Sequence, residues 1–395
     1  MELSDRISRV AVSATLVVSA RAKELKAGGA DVVSFGAGEP DFDTPAFIKD
    51  AAKAALDAGD TKYLPAKAAA LKQAIAEKLR RENGLRYAPE QVEVTFGGKH
   101  ALYAAFQALI NPGEKVLIPS PYWVSYPEQV TLAGGESVFL ETSPATGFKI
   151  TPEQVLANAK GAKVLVINSP SNPTGVTYTP EELAAIAEAV LQTDLTVFSD
   201  EIYEKLLYGD TRFVSFAALD ERLMSRTLTF NGLAKTFAMT GWRLGWVAGP
   251  VKVIKAVAKL MSQETSSPVS FAQAGAYAAY TDPRAAETIE AMRREFEKRG
   301  RHMHERLSAI EGVSCVQPTG AFYCFPDVSA HYGRTLGGVE IGGSLPFASA
   351  CLEGAGVALV PGVAFGEDRC VRLSFATSLE QIDKGLDRLG KLLAG

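Results

Sequence analysis

The sequence predicts an α/β protein with a large domain on a mainly parallel sheet and a smaller α+β domain beside it. Three observations carry this expectation. The middle of the chain alternates short, almost wholly apolar runs with helical patterns, the signature of strands covered on both faces by crossover helices. Near Asp282 the character changes to a long, charged helical pattern followed by short strands and helices. The length of 395 residues suffices for two hydrophobic cores.

In chain order, Ser13 to Lys26 reads as a helix ending at Gly28-Gly29. Val92–Phe96 reads as a strand, then Lys99–Leu109 as a helix. Lys115–Ile118 is a strand followed by a turn with Pro121-Tyr122-Trp123 and a further helical pattern. Lys163–Ile167 is a strand leading into Ser-Pro-Ser-Asn-Pro-Thr-Gly, a loop by its composition. Thr179-Pro180-Glu181-Glu182 marks a helix start, with Thr179 as N-cap, Pro180 at the first position and Glu182 closing a capping box. Leu195–Phe198, Thr227–Phe230 and Leu244–Ala248 complete the apolar strands. Ala285 to Ile310 is one long helix. After it come Ala321–Phe325, Phe347–Glu353, Val357–Leu359, Val371–Phe375 and Leu379–Leu393. The expected division is 1–44 with 285–395 as the small domain and 45–284 as the large one.

Composition narrows the function. Hydrophobic residues make up 47% and charged residues 22%, an ordinary soluble profile, and the net charge of −4 argues against a nucleic-acid surface. The two basic runs, Lys78-Leu-Arg80-Arg81 and Arg293 to Arg301, read as solvated helix faces. Four cysteines (Cys315, Cys324, Cys351 and Cys370) have neither zinc nor disulfide spacing, so reduced thiols in the cytoplasm are expected. Met1–Val10 lacks an apolar signal core, and no run approaches the roughly 20 apolar residues of a membrane span.

In an open α/β sheet, ligands bind beyond the carboxyl ends of the strands. The polar residues at those ends or their flanking turns are Gly97-Gly98-Lys99, Tyr122-Trp123, Asn168 to Asn172, Asp200 to Tyr203, Asn231 to Lys235 and Arg243. Each alone has an ordinary reading. Asp200 serves equally as a helix N-cap, a lysine after a strand is usually solvated, and Gly-Gly turns are common. Together they supply a lysine able to condense with a carbonyl, a carboxylate for a ring nitrogen, an aromatic face, hydroxyl and amide donors, and a cationic cup at a helix N-terminus.

At these positions the chain resembles the class I aminotransferases of pyridoxal phosphate fold type I, over nearly its whole length. The resemblance rests on Asn-Pro-Thr-Gly at 172–175, Ser-Asp-Glu-Ile-Tyr at 199–203, and Lys235 with Met-Thr-Gly-Trp-Arg at 239–243. It implies that Lys235 holds pyridoxal 5'-phosphate as a Schiff base and that Asp200 pairs with the ring nitrogen. Tyr203 and Asn172 would donate to the ring oxygen, Trp123 would stack on the ring, and Arg243 with the backbone at Gly98 and Lys99 would bind the phosphate. Tyr63 would reach the phosphate of a neighbouring subunit, implying a homodimer with shared sites. Arg372 would clamp the substrate α-carboxylate, with the Gly38 backbone nearby.

Within the family the chain resembles bacterial aspartate aminotransferases in which a lysine after Gly-Gly and an N-terminal threonine recognise the distal carboxylate, here Lys99 and Thr15; Thr15 also suits a polar helix face. The resemblance implies ping-pong transfer of an amino group from aspartate to 2-oxoglutarate, with prephenate or glutamate transamination, or β-lyase chemistry, as alternatives. Two departures stand out. Gly232 occupies a position where the family usually has a hydroxyl residue, and Ala66-Lys67-Ala68-Ala69-Ala70-Leu71-Lys72 replaces a pattern with glycine at 67 and arginine at 72. The alanine-rich run favours helix over loop. A nicotinamide dehydrogenase is disfavoured, because Phe35-Gly36-Ala37-Gly38 lacks the third glycine and leads into Glu39-Pro40 rather than a crossover helix. A regulatory module on the same fold would be expected to carry a DNA-binding domain as well.

Overall fold

The computed structural model describes residues 1–12, 14–63 and 65–395, without the side chains at 14–16, 19 and 65–67. At its centre is a seven-stranded sheet: β1 Val92–Thr95, β2 Lys115–Ser120, β3 Glu136–Glu141, β4 Ala162–Asn168, β5 Thr196–Asp200, β6 Thr227–Gly232 and β7 Gly245–Ala248. The spatial order is β1-β7-β6-β5-β4-β2-β3. β3, β2, β4, β5 and β6 run parallel, as the apolar runs predict, whereas β7 is antiparallel to both β1 and β6. The central strands are apolar because both faces are covered; β6 is buried at every position. One face packs on Gly98–Leu109 and Val251–Glu264 through Ala105, Phe106, Phe198, Phe230 and Ile254; the other packs on Pro180–Leu191 through Leu165, Val197, Ile186 and Val190.

The capping box at Thr179 forms as expected. Thr179 Oγ1 accepts from Glu182 N at 3.2 Å, and Glu182 Oε2 accepts from Thr179 N at 2.7 Å. The alanine-rich segment lies in the helix Pro65–Asn83, in keeping with its propensity; Lys72 there pairs with Glu93 at 2.7 Å, and the Lys67 side chain lies outside the described residues.

The second core gathers the chain's two ends. Val33–Ser34 pairs in parallel with Val357–Ala358, and Val371–Ser374 is flanked by Val360–Pro361 and Tyr323–Cys324 in an antiparallel three-stranded sheet. The helices Ala285–Ser308, Ser344–Ala355 and Leu379–Ala394 cover it, with Phe296, Phe347 and Leu386 buried among Phe35, Phe322 and Phe375.

Two readings of the basic runs are corrected here. Lys78 is not solvated: it is 3% exposed and bonds Glu204 and Asn83, because its helix packs that face against the segment after β5. Arg299 is likewise buried, bonding Asp41 at 2.8 and 2.9 Å and Glu295 at 2.9 Å. Helical spacing alone does not distinguish a cation facing water from one facing a distant carboxylate.

Candidate active site

Sheet register brings the candidate residues to one edge. Asn168 at the end of β4 pairs with Asp200 at the end of β5, and Asp200 pairs with Phe230 of β6. Lys235 follows β6 by a short turn. Because β7 runs antiparallel, its first residue, Gly245, lies beside Gly232 of β6 and Thr95 of β1. Arg243, which precedes a strand, therefore reaches the same edge as Gly97-Gly98, which follow one. The resulting cleft, of about 330 Å³, is lined by Gly38, Gly98, Lys99, Trp123, Asn172, Asp200, Tyr203, Lys235, Arg243 and Arg372.

Of the remaining candidates, Tyr63 does not enter this cleft within one chain. It is 77% exposed and borders a separate opening beside Pro268 and Phe271. The side chain of Thr15 lies outside the described residues.

The two central groups are tuned in opposite directions by one cause. Burial pushes the Lys235 amine down to about 8, aided by the charges of Arg372 and Arg243 and opposed by those of Glu39 and Asp200. Its Nζ donates to the Gly38 carbonyl. Burial pushes the Asp200 carboxyl up to about 6 against a hydrogen bond from Tyr126 Oη to Oδ2 at 2.6 Å and one from Ile202 N to Oδ1 at 3.3 Å. Among the described residues the Asp200 carboxylate forms no ion pair, so a buried anion sits at a strand end without a salt-bridge partner.

The anion cup depends on missing side chains. Gly97 has φ +87°, and a Cβ there would lie 2.8 Å from an Arg243 guanidinium nitrogen. A Cβ on Gly245 would lie 2.4 Å from the Gly98 nitrogen, so glycine lets β7 approach the start of the helix Gly98–Leu109. That N-terminus, with Arg243 and Lys99 beside it, presents N–H groups and cations together. Gly232 is equally constrained: a Cβ there would meet Gly245 Cα at 2.9 Å and the Leu244 carbonyl at 3.0 Å, which gives a physical reason for the departure from a hydroxyl residue.

Arg372 is 2% exposed. Its two terminal nitrogens donate to Asn172 Oδ1 and to the Gly36 carbonyl, each at 3.0 Å, and its Nε is buried without a partner. The guanidinium lies over Tyr323, 4.6 Å from the ring centroid, and 5.1 Å from that of Phe365. Among the described residues it forms no ion pair with a carboxylate. A buried cation lining a cleft, with an unused donor, is suited to an anionic ligand. Because Asn172 gives its amide oxygen to Arg372, its amide N–H groups are the end left to donate. Tyr203 shares a 2.9 Å hydrogen bond with Tyr323. Lys99 Nζ lies 5.0 Å from the Trp123 ring centroid, and burial followed by the Arg243 charge lowers its proton affinity.

Sequence reasoning missed Tyr126 and Tyr323. Tyr126 is fully buried three residues after Trp123, on the helix Ser125–Ala133, and the need of a buried hydroxyl for a partner was the available signal. Tyr323 lies in an aromatic run with no local mark of function.

The donor set fits pyridoxal phosphate. A buried carboxylate without an ion-pair partner suits a protonated ring nitrogen, the glycine-lined helix terminus with Arg243 suits a phosphate, and Lys235 lines the same cleft with its proton affinity lowered.

The family model for aminotransferase class I and II matches residues 30–389. The chain is 48% identical to the aspartate aminotransferase of Bacillus subtilis (strain 168), over 100% of this chain and 99% of that protein. It is 47% identical to the aspartate/prephenate aminotransferase of Cereibacter sphaeroides, with 100% and 99% covered. Among solved structures, Thermus thermophilus aspartate aminotransferase with maleate matches at a TM-score of 0.93 and 45% identity, with 100% of both chains covered. The Rhizobium meliloti aspartate aminotransferase matches at a TM-score of 0.95 and 38% identity, with 100% of this chain and 99% of that one covered. With a family model spanning most of its length and relatives alike from end to end, the chain belongs to the class I and II aminotransferases.

Proposed function

We propose that the protein is a pyridoxal phosphate-dependent aspartate aminotransferase that passes the amino group of L-aspartate to 2-oxoglutarate. The observation that carries this reading is the meeting, in one cleft, of Lys235 with a lowered proton affinity, an unpaired buried Asp200 and an unpaired buried Arg372. When bound, pyridoxal phosphate supplies an electron sink for negative charge developing at the substrate α carbon.

The chain's own residues divide the remaining work. Lys235 would hold the cofactor through Nζ, and its amine would move a proton at the substrate α carbon as base and then acid. Asp200 would keep a proton on the ring nitrogen, its carboxylate held in place by the hydrogen bond from Tyr126. Tyr203 and Asn172 would donate to the ring oxygen, Trp123 would cover the ring, and Arg243 with the Gly98 and Lys99 backbone would hold the phosphate. Arg372 binds the α-carboxylate, beside the Gly38 backbone. Lys99 and Thr15 receive the distal carboxylate, and the position of Lys99 between Trp123 and Arg243 supports its share. The working unit is a homodimer in which Tyr63 of one protomer completes the phosphate site of the other; its 77% exposure in a single chain supports this. The small domain comprises 1–44 with 285–395 and the large domain 45–284. The location is the cytoplasm, in keeping with four free cysteines; no helix among the described residues is long and apolar enough to cross a membrane.

A second reading, transamination of prephenate as well, is supported by the 47% identity to a relative named for both substrates. Initial rates at several fixed 2-oxoglutarate concentrations test the proposal. Parallel double-reciprocal lines with aspartate are expected, and intersecting lines would refute the two-step scheme. Replacing 2-oxoglutarate by prephenate decides the second reading.

A further inference from the structure

The segment from Gly36 to Thr44 is fastened to the strand carrying Arg372 and, repeatedly, to the loop that carries Lys235. Gly36 O accepts from Arg372 at 3.0 Å, and Gly38 O accepts from Lys235 Nζ. Glu39 Oε2 accepts from Thr240 Oγ1 at 2.7 Å. Thr44 Oγ1 donates to Ala238 O at 2.8 Å and accepts from Trp242 Nε1 at 3.0 Å. Asp41 ties the same segment to Arg299 on the long helix Ala285–Ser308. The loop beneath it holds two non-glycine residues in the left-handed region, Ala238 at φ 50° and Arg243 at φ 53°. Such backbone persists only where surrounding contacts determine it. Thr240 also accepts, through its carbonyl, a 2.8 Å bond from the Arg243 guanidinium.

We propose that Glu39 is a positioning residue for the transamination. Clasped to Thr240, it holds the Gly38 carbonyl against the Lys235 amine, and its charge offsets the guanidinium groups of Arg372 and Arg243 that act on that amine. The inference rests on the aminotransferase reading for its meaning but not for its measurement. The charged and titratable groups around Lys235 are Glu39, Asp200, Arg243 and Arg372, with the hydroxyls of Tyr203 and Tyr323 and the amine of Lys99 lining the same cleft. Of the two carboxylates, Asp200 is committed to Tyr126 and the Ile202 N–H, whereas Glu39 is held only by Thr240 among the hydrogen bonds described. Both carboxylates raise the proton affinity of Lys235, and Glu39 has the larger influence. Without the Glu39 charge, the two arginines act on the amine with less opposition. Lys235 then loses its proton at lower pH and becomes a weaker base for the α-carbon proton.

The test uses the cofactor-free full-length chain, with acetic anhydride as the probe and mass spectrometry reading acetylation of Lys235 between pH 6 and 10. Glu39→Gln keeps an acceptor for Thr240 but removes the charge. The pH midpoint of Lys235 labelling is expected to fall by about half a unit, the scale of one partly screened charge. Glu39→Asp should return it towards the wild-type value. Thr240→Val, which releases a still-charged Glu39, should move it the same way by less, and this variant decides the matter if Glu39→Gln fails to fold. A wild-type midpoint in Glu39→Gln, or in Thr240→Val when that variant must decide, overturns the proposal. Failure of the wild-type protein to transaminate aspartate would instead count against the functional reading, with the labelling midpoint still measurable.

Discussion

Replacing Asp200 by asparagine should stabilise the cofactor-free protein while crippling the loaded one. Burial raises the Asp200 carboxyl from its ordinary 3.8 to about 6. A group whose proton affinity is higher in the folded state contributes stability that is complete below the unfolded value and is lost as pH rises through the folded one. Relative to a neutral residue, the wild-type protein is therefore penalised increasingly from about pH 4 to about pH 6, by about 2 kcal/mol at pH 5 and about 3 kcal/mol at pH 7.5. Asparagine is nearly isosteric and its amide oxygen can accept from Tyr126, while its amide nitrogen cannot accept from the Ile202 N–H; that lost bond and any change in packing add a constant rather than a slope. Urea denaturation of both cofactor-free proteins at pH 5, 6 and 7.5 measures the difference. The asparagine variant should gain about 1 kcal/mol on the wild type across that range. A gap that does not change with pH would show that Asp200 is not a strained buried anion and would remove the physical basis of its role. In the loaded enzyme the same variant should lose about 10²–10³-fold in turnover, the scale of one preorganised electrostatic group.

Three further outcomes follow from the geometry. Lys235→Ala should abolish transamination while retaining pyridoxal phosphate by equilibrium dialysis, because Arg243, the helix terminus and Asp200 remain; retained turnover would refute the lysine's role. Arg372→Ala should lower kcat/KM for aspartate by about 2–5 kcal/mol equivalent, the cost of removing one side of a buried charge pair, and unchanged kinetics would place the α-carboxylate elsewhere. Lys78→Met should destabilise the fold by about 3–5 kcal/mol in chemical denaturation, because Glu204 would remain buried with Asn83 but without the cation that bonds it, the charge of Lys205 acting on it without a hydrogen bond. A loss under about 1 kcal/mol would mean that water replaces the lysine.

Much of this arrangement is legible in the residues. Apolar runs mark the strands, Thr179-Pro180-Glu181-Glu182 marks a helix start, and polar residues after successive runs mark the ligand edge. What escapes is set by tertiary contacts. An apolar strand reads the same in either direction, so nothing in Gly245–Ala248 announces that β7 is antiparallel; yet that direction brings Arg243 to Gly97. Tyr126 is linked to Asp200 across 74 positions and Arg299 to Asp41 across 258, separations at which local patterning carries no information. The glycine at 232 looks like a lost ligand in the sequence, whereas the structure shows the backbone of Leu244 and Gly245 filling the space a side chain would need.

In the proposed site, Lys235, Asp200 and Arg372 act together to transaminate aspartate. An absorbance scan of the protein loaded with pyridoxal phosphate, repeated after L-aspartate alone and again after 2-oxoglutarate, tests it most directly. The yellow band is expected to disappear with aspartate, give way to a near-ultraviolet band, and return with 2-oxoglutarate. A protein that takes up no cofactor, or one whose band is unmoved by aspartate, would contradict it.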